Sequence, residues 1–391
     1  MSVPSEPRPA PVDDVPLVLH VIPTAIARGA QREARALATA LDVPATRHHR
    51  LLSLFASPDQ VGVDLALDHP GGDAAAVGFD PRLVMALRSL LKRTRPSVVV
   101  AHGGDPLKYL VPALLGMGVP LAYYATGTFE HARRPARVAL WRFLVGRADV
   151  VAAEGEEVLA QCRGLLHVRE DRSLLAPNGR DPEEFHPPEG PVDRDVPVLV
   201  FVGALTSGKR PQRFVEVVAE LRRRGLGVRA MVCGDGPLAP ELADSARSAR
   251  VDLLGSRSDV AEILRGADIF VFPSLPTGEG MPGVLIEAGL TGLPVVATAV
   301  PGVRTIVVDE VSGFVVDVDD LDAMVVATAR LVGGPDLRRA MGEAARQRCG
   351  ERFSLAAVAA CWTAFLDPLV LRSIRRRPGR SGPGTRHARG A

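Results

Sequence analysis

The sequence is poor in cysteine and in aromatic residues, and each shortage excludes a class of protein. The four cysteines among 391 residues form no CxxC pair, which argues against a zinc ribbon and against a disulfide framework. Aromatic residues make up 4% of the chain, too few for the stacking platforms with which proteins bind single-stranded nucleic acid. We therefore expect a reduced, cytoplasmic protein with no nucleic-acid partner.

Long apolar runs and targeting signals are also missing. No run of about 18 apolar residues occurs, so the sequence predicts no membrane-spanning helix. The first 14 residues are Pro-rich and acidic, unlike a secretory signal peptide, and we expect a disordered tail over residues 1–14. At this length, two domains are the natural expectation.

Two segments are rich in arginine. Residues 372–391 hold seven of the 47 basic residues and no acid, which leaves 40 basic against 45 acidic residues elsewhere. Pro, Gly and Ser interrupt this segment, which favours a disordered basic tail, and attraction to anionic lipid headgroups is the alternative. Residues 131–147 mix Arg with Trp and Leu at helical spacing, as in membrane-surface helices and equally in helices that cover a sheet. From these two segments together we expect that peripheral contact with the anionic inner face of a membrane is possible.

Strand-like apolar runs alternate with helix-period segments along most of the chain. This alternation predicts an α/β fold in which parallel sheets are covered by helices on both faces. A segment with five prolines and two glycines, residues 177–195, predicts a linker between two doubly wound lobes with a cleft between them. The strand-like runs lie at 15–22, 49–56, 97–103, 119–125 and 148–154 before the linker, and at 196–203, 228–234, 251–255, 268–273, 294–298 and 313–318 after it. The predicted units are an N-terminal lobe with its linker (15–188), a C-terminal lobe (189–352), a closing helix (353–371) and the basic tail (372–391).

The first candidate site is the stretch VFVGALTSGKRP, residues 200–211. Gly203, Gly208 and Lys209 have the spacing of a triphosphate-binding loop, but Arg210 stands where that loop needs a Ser or Thr hydroxyl for Mg²⁺. ATP is therefore a poor fit. A strand, a glycine turn, a lysine and a helix that opens at Pro211 still suit a diphosphate, because free N–H groups and the helix dipole attract anions. A plain βα turn with a solvated lysine is the alternative.

The second candidate site is PSLPTGEGMPGVLIEAGLTGLPVVAT, residues 273–298. Glu279 stands in a glycine-rich loop, and Glu287 follows eight positions later in the helix that Pro282 opens. Glycines at 278, 280 and 283 let a ligand approach the backbone, and the N–H groups around Met281 to Val284 suit an anion. Glu287 is suited to a ribose diol and Glu279 to sugar hydroxyls. An isolated acid pair of this spacing is as often plain surface charge.

With its flanks, GEGMPGVLIEAGLTGLPVVAT resembles the E-x7-E segment of retaining nucleotide-sugar glycosyltransferases of family 4, which have the GT-B fold of two Rossmann-like lobes. Further blocks resemble the same family in the same order, and the resemblance covers about residues 15–366. They are VIPTAIARGAQREARALATAL (first loop and helix), PNGRDPEEFHPP (interlobe segment), FVGALTSGKRP (diphosphate loop), and CGDGPL and GLPVVATAVPGV (later turns).

The resemblance implies a metal-independent transferase without a cofactor. It would move a hexose-type sugar, with retention, from a UDP-, GDP- or ADP-sugar in the C-terminal lobe to an acceptor hydroxyl on a glycan, lipid or small molecule in the N-terminal lobe. It implies catalytic roles for Lys209 at the leaving diphosphate, Glu279 at the sugar ring and Thr126 on the acceptor side. The donor-binding residues it implies are Arg28, Gly29, Gly203, Lys209, Gly280, Met281, Pro282, Gly283, Val284 and Glu287.

The sequence departs from the family pattern in three places. Ala204 stands where many relatives carry Arg, Thr126 where His is common, and Arg28 where the first loop has Gly. Arg28 would either replace the lost cation or block the pocket. Two alternatives therefore stay open: a nucleotide-sugar-binding protein with weak or no transfer activity, and an inverting transferase or sugar-nucleotide epimerase on the same fold.

Two other groups of polar residues favour structural roles. The Asp-Val-Asp at 317–319 ends a predicted strand, and we interpret it as part of a helix cap near Asp320 rather than as a metal site. His48 and His49 are expected at the surface rather than as ligands.

Overall fold

Two parallel β-sheets organise the chain in the computed structural model. The structure describes residues 15–26, 29–43, 46–70, 78–129, 134–190, 194–277 and 280–376. The disorder predicted for residues 1–14 and for most of the basic tail concerns residues outside these ranges.

The first sheet has seven strands in the order β3-β2-β1-β4-β5-β6-β7, all parallel. Its central strands, such as β4, are buried along their whole length, because helices cover both faces and each strand must be apolar on both sides. Its strands are β1 Leu17–Ile22, β2 His48–Phe55, β3 Leu65–His69, β4 Val98–His102, β5 Leu121–Ala125, β6 Val150–Ala153 and β7 Ser173–Leu175. The helices of this lobe are α1 Gly29–Leu41, α2 Pro81–Thr94, α3 Gly104–Ala113, α4 Pro135–Gly146 and α5 Glu156–Gly164.

The second sheet has six parallel strands in the order β10-β9-β8-β11-β12-β13. Its strands are β8 Val198–Val202, β9 Arg229–Cys233, β10 Asp252–Leu253, β11 Ile269–Phe272, β12 Val295–Thr298 and β13 Gly313–Val316. The helices of this lobe are α6 Pro211–Arg223, α7 Ala239–Ser248, α8 Val260–Arg265, α9 Gly283–Leu290, α10 Val303–Ile306, α11 Leu321–Gly333 and α12 Pro335–Phe353.

Both sheets are doubly wound, and their strand order reverses between β1 and β4 and between β8 and β11. In such sheets the chain leaves the two central strands in opposite directions, which opens a crevice for ligands at the carboxyl ends of the strands. The predicted α/β fold with two Rossmann-like lobes is confirmed. Both predicted donor segments directly follow the two strands at the second switch point, β8 and β11.

The last helix, α13 Leu355–Arg376, returns from the second lobe to the first. Trp362, Phe365 and Leu366 pack with Val18 and Val98 in one core cluster under the first sheet. The helix runs five residues past the predicted end at 371, so the start of the expected disordered tail is helical. Within the described residues, α13 is also the one helix long and apolar enough to cross a membrane, although the sequence predicted none. Its packing on the sheet gives a sufficient reason for that apolar composition.

Two edge strands, β3 and β7, were not predicted. β3 alternates half-buried and exposed residues, and β7 has three residues. Each pairs on one side only, so neither has the continuous apolar run that marks the buried strands.

Candidate functional site

The turn after β8 and the loop after β11 lie in contact. Leu275 N–H, in the loop after β11, donates to the carbonyl of Gly208, in the turn after β8, at 2.7 Å. At the start of the same turn, Gly203 N–H donates to the carbonyl of Cys233, the last residue of β9, at 3.0 Å. Helix α6 begins at Pro211, as predicted, after Arg210 in a left-handed conformation with φ 50°. The glycine turn predicted to hold a diphosphate is therefore fastened directly to the segment that carries the second candidate site.

Lys209 and Arg210, adjacent in sequence, point to different places. The Lys209 Nζ lies 5.3 Å from the ring centroid of Phe272, the last residue of β11. Arg210 instead donates to the Val318 carbonyl at 2.7 Å and pairs with Asp319 at 3.3 Å. Of the two cations, Lys209 is thus the one placed at the end of the central strands.

Helix α9 presents its N-terminus to the cleft. It begins at Gly283, with the extended Pro282 before it. The first N–H groups of a helix have no intrahelical partner, so those of Gly283 and Val284 suit an anionic ligand. Met281 has a buried side chain, which leaves its backbone as the part available to a ligand. Glu279 and Arg28 lie outside the described residues, and Gly29, the first residue of α1, has open space around its Cα.

Across the cleft, the first lobe faces Gly280. Gly127 N–H donates to Glu154 Oε1 at 2.5 Å, and a Cβ on Gly280 would overlap that same carboxylate. Thr126 follows β5 beside Gly103, at the carboxyl end of the first sheet. The structure therefore places Thr126 one residue from the point where the two lobes meet.

The linker ties the second candidate site to the first sheet. Asn178 Nδ2 donates to the Met281 carbonyl at 3.1 Å, and the Tyr124 hydroxyl donates to Asn178 Oδ1 at 3.0 Å. Tyr124 and Asn178 are buried, and burial raises the pKa of the Tyr124 hydroxyl well above its usual range, which keeps it a donor. The chain before α9 is consequently held in place by a buried polar contact.

Glu287 is held in an ion-paired triad that spans both lobes. Arg180 of the linker donates from Nε to Glu287 Oε1 at 2.7 Å and from Nη1 to Glu33 Oε2 at 2.5 Å. Glu33 lies in α1 of the first lobe and also accepts from Gly179 N–H at 2.7 Å. A Cβ on Gly283 would overlap the Arg180 guanidinium, so this glycine makes room for the cation at the start of α9. Glu287 thus has one carboxylate oxygen engaged by Arg180, and its predicted contact with ribose stays a prediction.

The expectation that His49 lies at the surface is wrong. His49 is fully buried and its Nδ1 lies 2.8 Å from His20 Nε2, while His20 Nδ1 lies 2.9 Å from His102 Nε2. β1, β2 and β4 are neighbours, so one His from each meets on one face of the sheet. His48, one residue before, points the other way and is half-buried, with Nδ1 3.6 Å from Asp42.

The acidic residues near 317 have a structural role. Asp320 caps α11, because its side chain accepts from Ala323 N–H at 2.8 Å, as the sequence predicted for this region. Among the described residues, no group of three or more His, Cys, Asp and Glu side chains is arranged to hold a metal ion.

Comparison with known proteins identifies the family. Residues 29–184 match the family described as Glycosyltransferase Family 4, and residues 196–333 match Glycosyl transferases group 1. Alpha-maltose-1-phosphate synthase of Mycolicibacterium smegmatis is 30% identical over 296 residues, which cover 68% of this chain and 70% of that protein. UDP-Gal:alpha-D-GlcNAc-diphosphoundecaprenol alpha-1,3-galactosyltransferase of Escherichia coli is 28% identical over 278 residues, or 64% of this chain and 70% of the relative.

Solved structures show the same fold at low identity. A HepE protein of Anabaena, crystallised with UDP and glucose, matches with a TM-score of 0.73 at 16% identity over 90% of this chain and 99% of that one. Sucrose-phosphate synthase of Thermosynechococcus elongatus matches with a TM-score of 0.75 at 18% identity over 91% of this chain and 99% of the other. The chain belongs to glycosyltransferase family 4 and has the GT-B fold, and it is a glycosyltransferase.

Three cleft residues escaped the sequence reasoning: Glu33, Glu154 and Arg180. Glu154 ends a predicted strand, which was a usable signal, since polar residues at the carboxyl ends of parallel strands face the crevice. Glu33 and Arg180 are far apart in sequence and stand in a helix and a linker, where charged residues are ordinary.

Proposed function

We propose that the protein transfers a hexose-type sugar from a UDP-, GDP- or ADP-sugar to an acceptor hydroxyl, with retention at the anomeric carbon and without a metal ion. The observation that carries this proposal is the contact between the turn that holds Lys209 and the segment that leads into α9 and Glu287, with Thr126 one residue from the place where the first lobe meets that segment. The names of related proteins support the donor class, since the E. coli relative is named for UDP-Gal.

Each group has a role in the proposed reaction. The bond between the anomeric carbon and the diphosphate oxygen breaks, and the acceptor oxygen bonds to that carbon on the same face. The proton of the acceptor hydroxyl passes to the departing phosphate oxygen. Lys209 and the N–H groups of α9 stabilise the growing negative charge, and one such preorganised contact is typically worth about 3 kcal/mol. Glu279 and Thr126 would contact the sugar and the acceptor side.

Glu287 would bind the ribose hydroxyls through the oxygen that Arg180 leaves unengaged. The Arg180 pair fixes the direction of the carboxylate, and positioning of this kind contributes to rate by holding the donor in a reactive geometry. If ribose instead has to displace Arg180 from Glu287, the ion pair competes with the donor. That case favours the second candidate, a nucleotide-sugar-binding protein with weak or no transfer activity. Ala204, which supplies no cation to the diphosphate, points in the same direction.

Kinetics of two variants test these roles. We expect Lys209→Ala to lower kcat about 100-fold with little change in the donor KM, because its contact strengthens as the diphosphate leaves. Glu287→Ala should instead raise the donor KM. Lys92→Ala, an exposed lysine in the last turn of α2, is the matched control and should leave both constants unchanged.

Three readouts decide between the candidates. Thermal shifts with UDP-, GDP- and ADP-sugars identify the donor, NMR of the product reports retention or inversion, and EDTA tests the need for a metal. An inverted product would replace the proposed mechanism by that of the inverting alternative. Binding without turnover would favour the second candidate.

We also propose a cytoplasmic location, with peripheral contact at the inner face of the membrane if the acceptor is lipid-linked. In support, α4 buries Leu144 and Val145 against the sheet yet leaves Leu140 55% and Phe143 61% exposed. The name of the E. coli relative specifies a diphosphoundecaprenol acceptor.

A further inference from the structure

Four arginines lie together at the amino end of the first sheet, far from the cleft. Arg147 directly follows α4, Arg172 directly precedes β7, and Arg372 and Arg376 stand in the last turns of α13. They line two adjoining cavities that share Arg147, Arg372 and Asp149. We call these four residues the arginine cluster.

The positive charge of the arginine cluster is mostly uncompensated. Asp149 is the single acid that lines the cavities in the described part of the chain, and its Oδ1 accepts from Arg372 Nη2 at 2.5 Å. Its Oδ2 is occupied by Leu121 N–H at 2.9 Å. One carboxylate therefore faces four guanidinium groups, which leaves an excess of three positive charges.

The individual arginines differ in how far they are engaged. Arg172 donates from Nε to the Asp149 carbonyl at 3.0 Å and from Nη2 to the Ala148 carbonyl, so its position is fixed. The Arg372 Nε is buried without a hydrogen-bond partner. The side chains of Arg147 and Arg376 are exposed and form no hydrogen bond or ion pair with the rest of the described chain. Two fixed and two adaptable guanidinium groups can thus surround an incoming anion.

The arginine cluster favours a multiply charged anion. The cavity that Arg376 lines measures about 180 Å³, and the adjoining cavity that Arg172 lines measures about 530 Å³. Guanidinium groups bind phosphate oxygens with paired hydrogen bonds. A carboxylate ligand carries one negative charge and two oxygens, so it would need fewer guanidinium groups than a phosphate. A phosphate group matches this charge, and either cavity has room for it.

The arginine cluster is separate from the transfer site. Residues Leu121, Asp149 and Arg172 stand at or just before the amino ends of β5, β6 and β7. Thr126 and Glu154 follow the carboxyl ends of β5 and β6, a full strand length away. A strand of five residues spans on the order of 15 Å, so one anion cannot contact both sites.

We propose that the arginine cluster binds a phosphate group at a second site, distinct from the cleft and independent of the proposed transfer reaction. The phosphate belongs either to a soluble phosphorylated molecule or to an anionic lipid headgroup. The apolar rim bears on the lipid source, since Leu115 lines the cavity and is 50% exposed, and Leu371 and Ile374 of α13 are 55% and 44% exposed.

The test compares two kinds of probe, soluble phosphates and lipid vesicles, on the full chain. Calorimetric titration with inorganic phosphate and with sn-glycerol 3-phosphate reports the soluble source. Sedimentation with phosphatidylcholine vesicles, with and without phosphatidylglycerol, reports the lipid source. The double variant Arg147→Gln/Arg376→Gln should weaken binding at least tenfold in whichever arm shows it, because two charge-assisted contacts are lost. Leu371→Ser/Ile374→Ser should weaken vesicle binding alone.

Two controls separate this site from the cleft. Arg346→Gln removes an exposed arginine of α12 in the second lobe and should change neither probe. Lys209→Ala removes the cleft cation and should leave binding by the arginine cluster within twofold of the parent. Equal binding by parent and double variant in both arms would overturn the proposal, as would phosphate binding that Lys209→Ala abolishes and the double variant retains.

Discussion

At the scale of single residues, Arg180 has the most consequences for the cleft. Its side chain is 19% exposed, between Glu33 at 3% and Glu287 at 17%. Burial lowers the pKa of Arg180, but Glu287 and Glu33 raise it by more, so the guanidinium stays charged at all ordinary pH. One largely enclosed cation therefore links α1 of the first lobe, the linker and α9 of the second lobe.

Arg180→Met is expected to lower the free energy of unfolding by about 3 to 5 kcal/mol. The reason is that Glu33, whose pKa burial already raises, would lose the cation that stabilises its charge, and removal of one member of a buried ion pair costs about that much. Urea unfolding measures the loss.

An exposed pair provides the control for Arg180. Arg247 and Asp244 lie 2.8 Å apart with side chains 78% and 92% exposed. Arg247→Met should cost less than about 1 kcal/mol, because solvent screens exposed pairs. The double variant Glu33→Gln/Arg180→Met should recover part of the stability. Similar losses for the two single variants would show that burial of Glu33 does not set the cost.

At the scale of elements, strands β1, β2 and β4 build a row of three imidazoles. Burial is the main cause that lowers the pKa of His49 and of His102 to about 3, and it lowers that of His20 as well, to which neighbouring His49 adds. A neutral imidazole has one donor and one acceptor nitrogen, so neutral His20 donates one of the two ring-to-ring hydrogen bonds and accepts the other. Its outer atoms, His49 Nε2 and His102 Nδ1, have no partner among the described residues.

This row predicts a loss of stability in acid. Above about pH 6.5 the imidazoles are neutral in both the folded and the unfolded chain and contribute no pH dependence. As the pH falls from about 6.5 towards about 3, the unfolded chain takes up protons that the folded chain refuses. Each imidazole then destabilises the fold by about 1.4 kcal/mol per pH unit.

Urea unfolding between pH 7 and pH 4.5 checks the acid prediction. His49→Gln keeps polar atoms at the site but removes one titrating group, so the slope of stability against pH should fall by about one proton. The parent chain, measured over the same pH range, is the reference. An unchanged slope in His49→Gln would contradict the neutral state inferred for the row.

At the scale of the whole molecule, α13 makes the first lobe depend on the end of the chain. The apolar face of α13 shares a core cluster with strands of the first sheet. Its members on the helix are Val358, Trp362, Phe365, Leu366, Leu369 and Val370. Without the helix, Val18, Val98 and Tyr124 would lose much of their cover. The GT-B fold is thus closed by a segment that follows the second lobe in sequence.

Ending the chain after Ser354 should therefore unfold the first lobe and leave the second lobe folded. Calorimetry should show the loss of one transition, and hydrogen exchange should locate it in the first sheet. A chain that ends after Arg376 keeps α13 and serves as the control. As a milder test, Trp362→Ala should cost about 3 to 5 kcal/mol. A first lobe that stays folded without α13 would contradict this dependence.

The sequence by itself determined the class of fold and the family, and it located the two segments proposed to bind the donor. Buried parallel strands need continuous apolar runs, and phosphate-binding turns need glycines at short spacing, so both signals are local and readable in residues 196–298. Edge strands β3 and β7 and the true end of α13 were missed, because their local signals are weak.

Only the tertiary structure decided which distant residues meet. Glu33, Arg180 and Glu287 are joined because two lobes and a linker pack together, and His20, His49 and His102 meet because the strand order sets β2, β1 and β4 side by side. The arginine cluster likewise combines the ends of α4 and α13 with the start of β7. Such contacts are fixed by topology and by burial of apolar faces, and no short stretch of sequence contains them.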